Sequence, residues 1–364
     1  MDLLTAVTLN KPLGMWSSII FGMESAVGNY ALALILVTII IKLVMVPFDF
    51  VNRYTSKKSS RKQAELKPEL DKINAKYAND KQALNQKTMA LYKAHNYNIT
   101  GTCLGMFVYL IVTMIVFWSL FGALNTISTY KIGDQYLQVR NAYFAEYEIN
   151  TQELPDTTTA MAELEAKISA MGTDEEAKTT KLTNANQKAL ETYNNSKASF
   201  LWIENIWLAD TATNPVMTYA DFISKSGLNA EQITEAEYNL IMEPIKNVTR
   251  PSNGFFILAV LAAGLNYLSM SVNTWISKAR AKKKGIDTSL VSAGSNKIMT
   301  IIMPIIMGVF TLFYNAAFGL YIVAGALITL ITSPLITMFV DMLEFEAINK
   351  ERERTVAIYD RKRK

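Results

Sequence analysis

Apolar residues in this chain are gathered into long blocks instead of recurring at the period of a half-buried helix or strand. Residues 30–50 read YALALILVTIIIKLVMVPFDF, 104–127 read LGMFVYLIVTMIVFWSLFGALNTI, and 255–276 read FFILAVLAAGLNYLSMSVNTWI. Two further blocks, 298–314 and 316–340, almost touch, with Asn315 at the break. One tilted span with a re-entrant piece is the alternative at that point. A block of about 20 apolar residues at ~1.5 Å per residue matches the ~30 Å hydrocarbon core of a bilayer. The pattern predicts an all-α membrane protein with five transmembrane helices. Residues 13–23 are apolar but too short to span, and Trp16, Ile19, Ile20 and Met23 share one helical face. That segment reads as an interfacial helix. No basic residue precedes Lys11 and no small-x-small site follows, which argues against a secretory signal.

The polar stretches carry their own periodicity. Leu66, Leu70, Ile73 and Tyr77 form a narrow apolar seam, and Leu84, Thr88 and Leu91 form a second one after an Asn79-Asp80 turn. This predicts a two-helix hairpin in which Pro68 suits a first turn and would break a helix running through it. Met161, Leu164, Ile168 and Met171 step as a helix that Gly172 ends, and Thr173 with Glu176 reads as a capping box for the next helix, to about Ser199. The aromatic run FLWIENIWLAD at 200–210 reads as an interfacial helix.

Charge orients the spans. Residues 53–93 hold eleven Lys/Arg against four acids, 278–297 hold six against one, and 128–253 hold ten against eighteen. Lys/Arg excess marks the cytoplasmic side. The expected organisation is an extracytoplasmic segment 1–29 with its interfacial helix, span 30–51, a cytoplasmic helical hairpin 52–103 and span 104–127. An extracytoplasmic loop 128–253 follows, with a helical insertion and the FLWI helix. Span 254–277, a basic cytoplasmic loop 278–297, spans 298–315 and 316–340, and a basic cytoplasmic tail 341–364 complete it. The net charge of +4 is small, and its uneven placement is the signal.

The candidate chemistry is sparse. Cys103 and His95 are the only residues of their kinds, so an intrachain disulfide, a metal site built on several Cys or His, and a Cys–His nucleophile are all excluded. No catalytic residue, metal or cofactor is indicated. Lys42 needs an explanation, because it stands in the first span between ILVTIII and LVMV. An uncompensated Lys at mid-span costs about 2.5–3.5 kcal/mol on insertion scales. Its stem either snorkels to the interface or delivers the charge to a water-filled, protein-lined cavity. Asp49 follows on about the same face but ~10 Å along the helix, which disfavours a direct pair.

These residues, taken in order, resemble the YidC/Oxa/Alb membrane protein insertase family. The matching set is Lys42 and Pro47, then Pro68-Glu69, Lys76-Tyr77, Leu91-Tyr92-Lys93, and Gly101 with Cys103-Leu104. FLWIENIWLAD, Met303-Pro304 and Gly319-Leu320-Tyr321 extend it. Lys42 stands where the family usually has Arg, Gly105 where it has Pro, and Tyr109 and Ile111 where a Gln and a Pro are frequent. The resemblance implies five spans enclosing a hydrophilic groove, with Lys42, Tyr109, Thr113, Asn266 and Tyr321 as groove residues. It implies Pro68, Glu69, Lys76, Tyr77 and Tyr92 as hairpin residues that meet the incoming chain. Nascent membrane proteins would be the substrates, with a ribosome and a Sec translocon as further candidate partners, and a bacterial plasma membrane as the location. Lys282, Lys283, Lys284, Arg361, Lys362, Arg363 and Lys364 are candidate contacts to ribosomal phosphates or anionic lipids. No bond is made or broken in such a process. Two other classes fit the residues: a transporter or channel with Lys42 as an anion site, and a non-inserting assembly scaffold.

Overall fold

The computed structural model describes residues 9–95, 97, 99–151, 157–283 and 297–363. The helices among them are α1 (Met15–Val27), α2 (Tyr30–Lys76), α3 (Lys81–Ala94), α4 (Ile99–Ala145), α5 (Thr157–Ala170), α6 (Glu175–Ser196), α7 (Tyr219–Lys225), α8 (Glu235–Val248), α9 (Ile257–Lys283), α10 (Lys297–Phe313) and α11 (Ala316–Arg363). Apart from one isolated bridge between Phe200 and Ile203, no β pairing occurs among the described residues. The first half of α2 is rich in Ile and Val, poor helix formers in water. In lipid every backbone group must be satisfied within the segment, so the same residues form a helix.

Four helices are long and apolar enough to cross a membrane, with spans inside α2, α4, α9 and α11. The remaining expected span coincides with α10, an apolar helix of 17 residues. That length is at the lower end of the ~17–25 residues a spanning helix needs. Asn315 stands at the break before α11, and its side chain accepts from the Phe318 N–H at 2.9 Å. At 47 or 48 residues, α2, α4 and α11 are each roughly 70 Å long. Each therefore projects well beyond any hydrocarbon layer.

The chain divides into two compact units. The first comprises Met1–Val37, Ser119–Leu261 and Gly308–Ile322. Its interior joins α4 to α7 and α8 through packed aromatic rings. Tyr136 lies 4.7 Å from Phe222 and 5.4 Å from Tyr238, centre to centre. At its core Arg140 Nε donates to Glu237 at 2.6 Å, Tyr136 donates to the same carboxylate at 3.0 Å, and Arg140 and Glu237 are 2% and 0% exposed. Of the residues expected on the face of α1, Ile20 is buried, Trp16 donates to Ser119 at 2.9 Å, and Ile19 is exposed.

Residues 200–208 are not the interfacial helix expected from the sequence. They form an irregular turn, with Leu201 at φ 54° and Trp207 buried. The physical reason lies in the helices that begin beside them. The first N–H groups of a helix have no intrahelical acceptor. The carbonyls of Leu208 and Ile206 accept from the Ala316 and Ala317 N–H groups at 2.7 and 2.9 Å, at the start of α11. Asp210 accepts from the Phe255 and Leu258 N–H groups at 2.9 and 2.7 Å, at the start of α9. Gly254 belongs to the same knot, since a Cβ there would collide with the Asp210 carboxylate.

The second unit comprises Thr38–Trp118, Ala262–Met307 and Val323–Lys364. It contains the hairpin of α2 and α3. The turn falls at 77–80, and Asp80 caps α3 by accepting from the Gln82 and Ala83 N–H groups. Leu66 is buried, and Leu70, Ile73, Tyr77, Leu84, Thr88 and Leu91 are half-buried along the seam. The expectation that Pro68 starts a new helix is corrected: α2 runs unbroken through Pro47 and Pro68. Pro68 is exposed, where the one lost backbone bond and the displaced carbonyl can be met by solvent. A similar one-residue correction applies in the first unit. The turn between α5 and α6 uses Gly172 at φ 63°, and Asp174, not Thr173, caps α6 through the Ala177 N–H.

Candidate functional site

The second unit gathers polar side chains from α2, α9 and α11 along a series of steps. Lys42 is half-buried on α2, and its stem crosses Gly325 of α11: a Cβ on Gly325 would stand 3.0 Å from Lys42 Cε and 3.6 Å from Nζ. Among the described residues Lys42 makes no hydrogen bond or ion pair. Two turns on, Asp49 binds Arg53 instead, through Nε at 3.0 Å to both carboxylate oxygens. Arg53 Nη1 donates to Thr337 of α11 at 3.2 Å, and Thr337 donates to Asn273 of α9 at 3.3 Å. Asn273 in turn donates to Ser333 at 2.6 Å. One turn further along α2, Lys57 is paired with Asp341 of α11 and donates to Ser277 of α9 at 3.3 Å. Arg280 of α9 reaches the same Asp341 at 3.8 Å. Arg61 lies 3.4 Å from Glu344 and 3.8 Å from Glu65.

This order has a simple electrostatic content. Every cation of α2 in the stretch from Arg53 to Arg61 that faces α9 or α11 has a carboxylate within 4.0 Å, whereas Lys42 has none among the described residues. Gly325 is what makes room for it. A larger residue there would force the flexible end of Lys42 aside.

Tyr109 of α4 donates to Asp49 at 3.5 Å, the long limit of a hydrogen bond. Thr113 is exposed and donates to the Tyr109 carbonyl at 2.8 Å, within its own helix. Asn266 is half-buried and donates to the Ala262 carbonyl of α9 at 2.7 Å. Tyr321 belongs to the first unit. In the hairpin, Pro68, Glu69 and Lys76 are exposed, and Tyr77 and Tyr92 are half-buried. Tyr92 packs edge-on against Tyr97 at 5.3 Å, and Tyr97 shares hydrogen bonds with Ser59 at 2.6 Å and Gln63 at 2.8 Å, tying the end of α3 back to α2. Lys282 and Lys283 are exposed at the end of α9, and Arg361, Lys362 and Arg363 fall in the last turn of α11. Lys284 and Lys364 lie outside the described residues.

Sequence reasoning missed Gly325, Arg53, Asn273, Asp341, Arg280 and Glu344. A signal existed for some of them. Asp49 and Arg53 stand at i, i+4, and Asp341 and Glu344 close an otherwise apolar block. For Gly325 no local signal existed, since only the approach of α2 gives it meaning.

The fold defines a helical, multi-span membrane protein, and its Lys42 has no carboxylate within 4.0 Å among the described residues. Residues 22–342 match the profile of the family described as 60Kd inner membrane protein, and the chain belongs to that family. Over 103 residues it is 41% identical to the Membrane protein insertase YidC of Fusobacterium nucleatum, covering 28% of this chain and 46% of that protein. It is 37% identical over 97 residues to the protein of the same name from Geobacter sulfurreducens, covering 27% and 17%. Against that from Anaeromyxobacter dehalogenans it is 35% identical over 104 residues, covering 29% and 18%. The chain thus matches less than half the length of these curated relatives. The family and the apolar helices identify a multi-pass protein of the bacterial inner membrane.

Proposed function

We propose that this chain is a membrane protein insertase. It receives nascent membrane proteins at the cytoplasmic face, draws a short polar tail toward Lys42, and releases the apolar segment into lipid. The observation that carries the reading is Lys42 itself: a cation in a spanning helix, laid over Gly325, beside a seam whose other cations are each matched by a carboxylate. Family membership supports it, and so do the names of the relatives. A polar tail crossing lipid loses its hydrogen bonds to water. A hydrated groove shortens the dry path, and a cation within it attracts an acidic tail more strongly than in bulk water. The apolar part of the substrate then leaves for lipid, driven by removal of its own surface from water. In this reading the N-terminus is outside and the C-terminus cytoplasmic. The hairpin meets the substrate first, and the lysines at the end of α9 with the end of α11 face a ribosome, a Sec translocon or anionic lipid.

The test is complementation. Host cells depleted of their own insertase receive the full chain as wild type, Lys42→Ala or Lys42→Arg, and insertion of a single-span protein with an acidic outside tail is followed by protease accessibility. Wild type and Lys42→Arg restore insertion, and Lys42→Ala loses most of it. Equal insertion by all three would reduce Lys42 to a snorkelling residue. No insertion by any of them at normal membrane levels would sink the assignment in favour of a transporter or scaffold.

A further inference from the structure

The cations of α2 that precede Lys42 on the path from the hairpin are not equivalent. Asp341 is 3% exposed and holds both Lys57 and Arg280, so displacing it would strand two charges at once. Arg61 is shared between Glu65 and Glu344. The Asp49–Arg53 pair differs from both. It is a single i, i+4 pair within one helix, and its side chains are 20% and 28% exposed. The guanidinium is planar and offers five donors. Its Nε and Nη1 are used, while Nη2 meets no acceptor among the described residues. Each partner also has a second contact that remains if the pair opens: Asp49 keeps the Tyr109 hydroxyl, and Arg53 keeps Thr337. Arg53 and Lys42 are eleven residues apart, about three turns and about 16 Å, so both side chains leave α2 on the same side.

We propose that Arg53 is a second carboxylate-binding station: Asp49 fills it at rest, and an acidic residue of the arriving substrate tail replaces Asp49 before passing on to Lys42. The inference rests on the insertase reading above. The exchange swaps one carboxylate for another at Arg53, and the displaced Asp49 is left with the Tyr109 hydroxyl. Asp49 acts as the competitor that keeps the station from holding its guest. Thr337, Asn273 and Ser333 fix the guanidinium against α11 and α9, so the station is positioned and does not swing. The ligand class is an acidic peptide segment.

The experiment uses the full chain in insertase-depleted membranes with two substrates that differ only in the outside tail, one carrying two Asp and the other two Asn. The readout is the ratio of initial insertion rates, acidic over neutral. Wild type is run first, and if it inserts neither substrate, the insertase reading falls and this inference with it. Given insertion by wild type, Arg53→Gln lowers the ratio about tenfold, the scale on which a steering charge acts on association. Arg53→Lys restores most of it. Asp49→Asn raises the acidic rate, because the resident competitor has lost its charge. A structural brace predicts the opposite for that last variant: Asp49→Asn and Arg53→Gln would then slow both substrates alike. That outcome, or an unchanged ratio in Arg53→Gln, overturns the proposal.

Discussion

The two units handle buried charge in opposite ways. In the first, Arg140 and Glu237 are both closed off from solvent, the carboxylate receives Arg140 and Tyr136, and the Arg140 guanidinium also lies 5.3 Å from the Phe144 ring. In the second, each pair keeps at least one partly exposed member, and Lys42 has no carboxylate within 4.0 Å among the described residues. A fully enclosed, fully matched pair has nothing to offer a ligand and much to lose if broken. A partly exposed series ending on an unmatched cation has the reverse properties. The difference separates a pair closed off on both sides from a series in which each pair is left partly open on at least one side.

Breaking the first unit's pair is expected to have the largest effect. Glu237→Gln leaves Arg140 buried without its counter-charge, and removal of one partner of such a pair typically costs about 3–5 kcal/mol. Denaturant unfolding of the detergent-solubilised chain measures it, and a loss under about 1 kcal/mol would mean that the pair is not closed off from solvent. Asp341→Asn comes next. Lys57 and Arg280 keep partial access to solvent, so a smaller loss of about 1.5–3 kcal/mol is expected. Faster hydrogen exchange should localise to the stretch of α11 around 341. Exchange spread evenly over both units would erase the contrast.

Gly325→Val is expected to cost only about 1 kcal/mol in stability, the low end for an added side chain. Its Cβ would press on the end of Lys42, so insertion of an acidic-tailed substrate should fall while the protein remains folded. Equal insertion at equal expression would detach Gly325 from the site. The smallest effect belongs to Glu204, which binds Lys197 at 2.8 Å and Arg250 at 3.1 Å. The Lys197 hydrogen bond is the main cause holding its carboxyl below the usual range. A depressed carboxyl stabilises the fold fully above its unfolded pKa, and that stabilisation disappears as pH falls through the folded value. Glu204→Gln should therefore cost about 0.2–1 kcal/mol at pH 7 and nothing under strongly acidic conditions. A pH-independent difference would assign the effect to packing instead.

Much of the frame was legible in the linear pattern. The apolar blocks coincide with α2, α4, α9, α10 and α11, and the seam 66–77 with its Asn79-Asp80 turn coincides with the hairpin. The errors arose where tertiary demand overrode local preference. FLWIENIWLAD has an amphipathic look, but its carbonyls and Asp210 are drawn to the unsatisfied N–H groups at the starts of α9 and α11. The capping box expected from Thr173 and Glu176 gave way by one residue, because Asp174 accepts from the Ala177 N–H and caps α6 itself.

By itself the sequence determined that the chain would be helical and membrane-spanning, because block length and hydropathy are properties of contiguous residues and lipid leaves the backbone few alternatives. It also singled out Lys42, since a charge in an apolar run is conspicuous without any fold. Only the tertiary structure decided which charges are matched. Asp49 turns to Arg53 along its own helix, Lys57 finds Asp341, and Gly325 leaves room for the Lys42 stem. Apart from Asp49 and Arg53, one turn apart on α2, these approaches depend on distances of a few ångströms between segments more than two hundred residues apart, and no window along the chain contains that information.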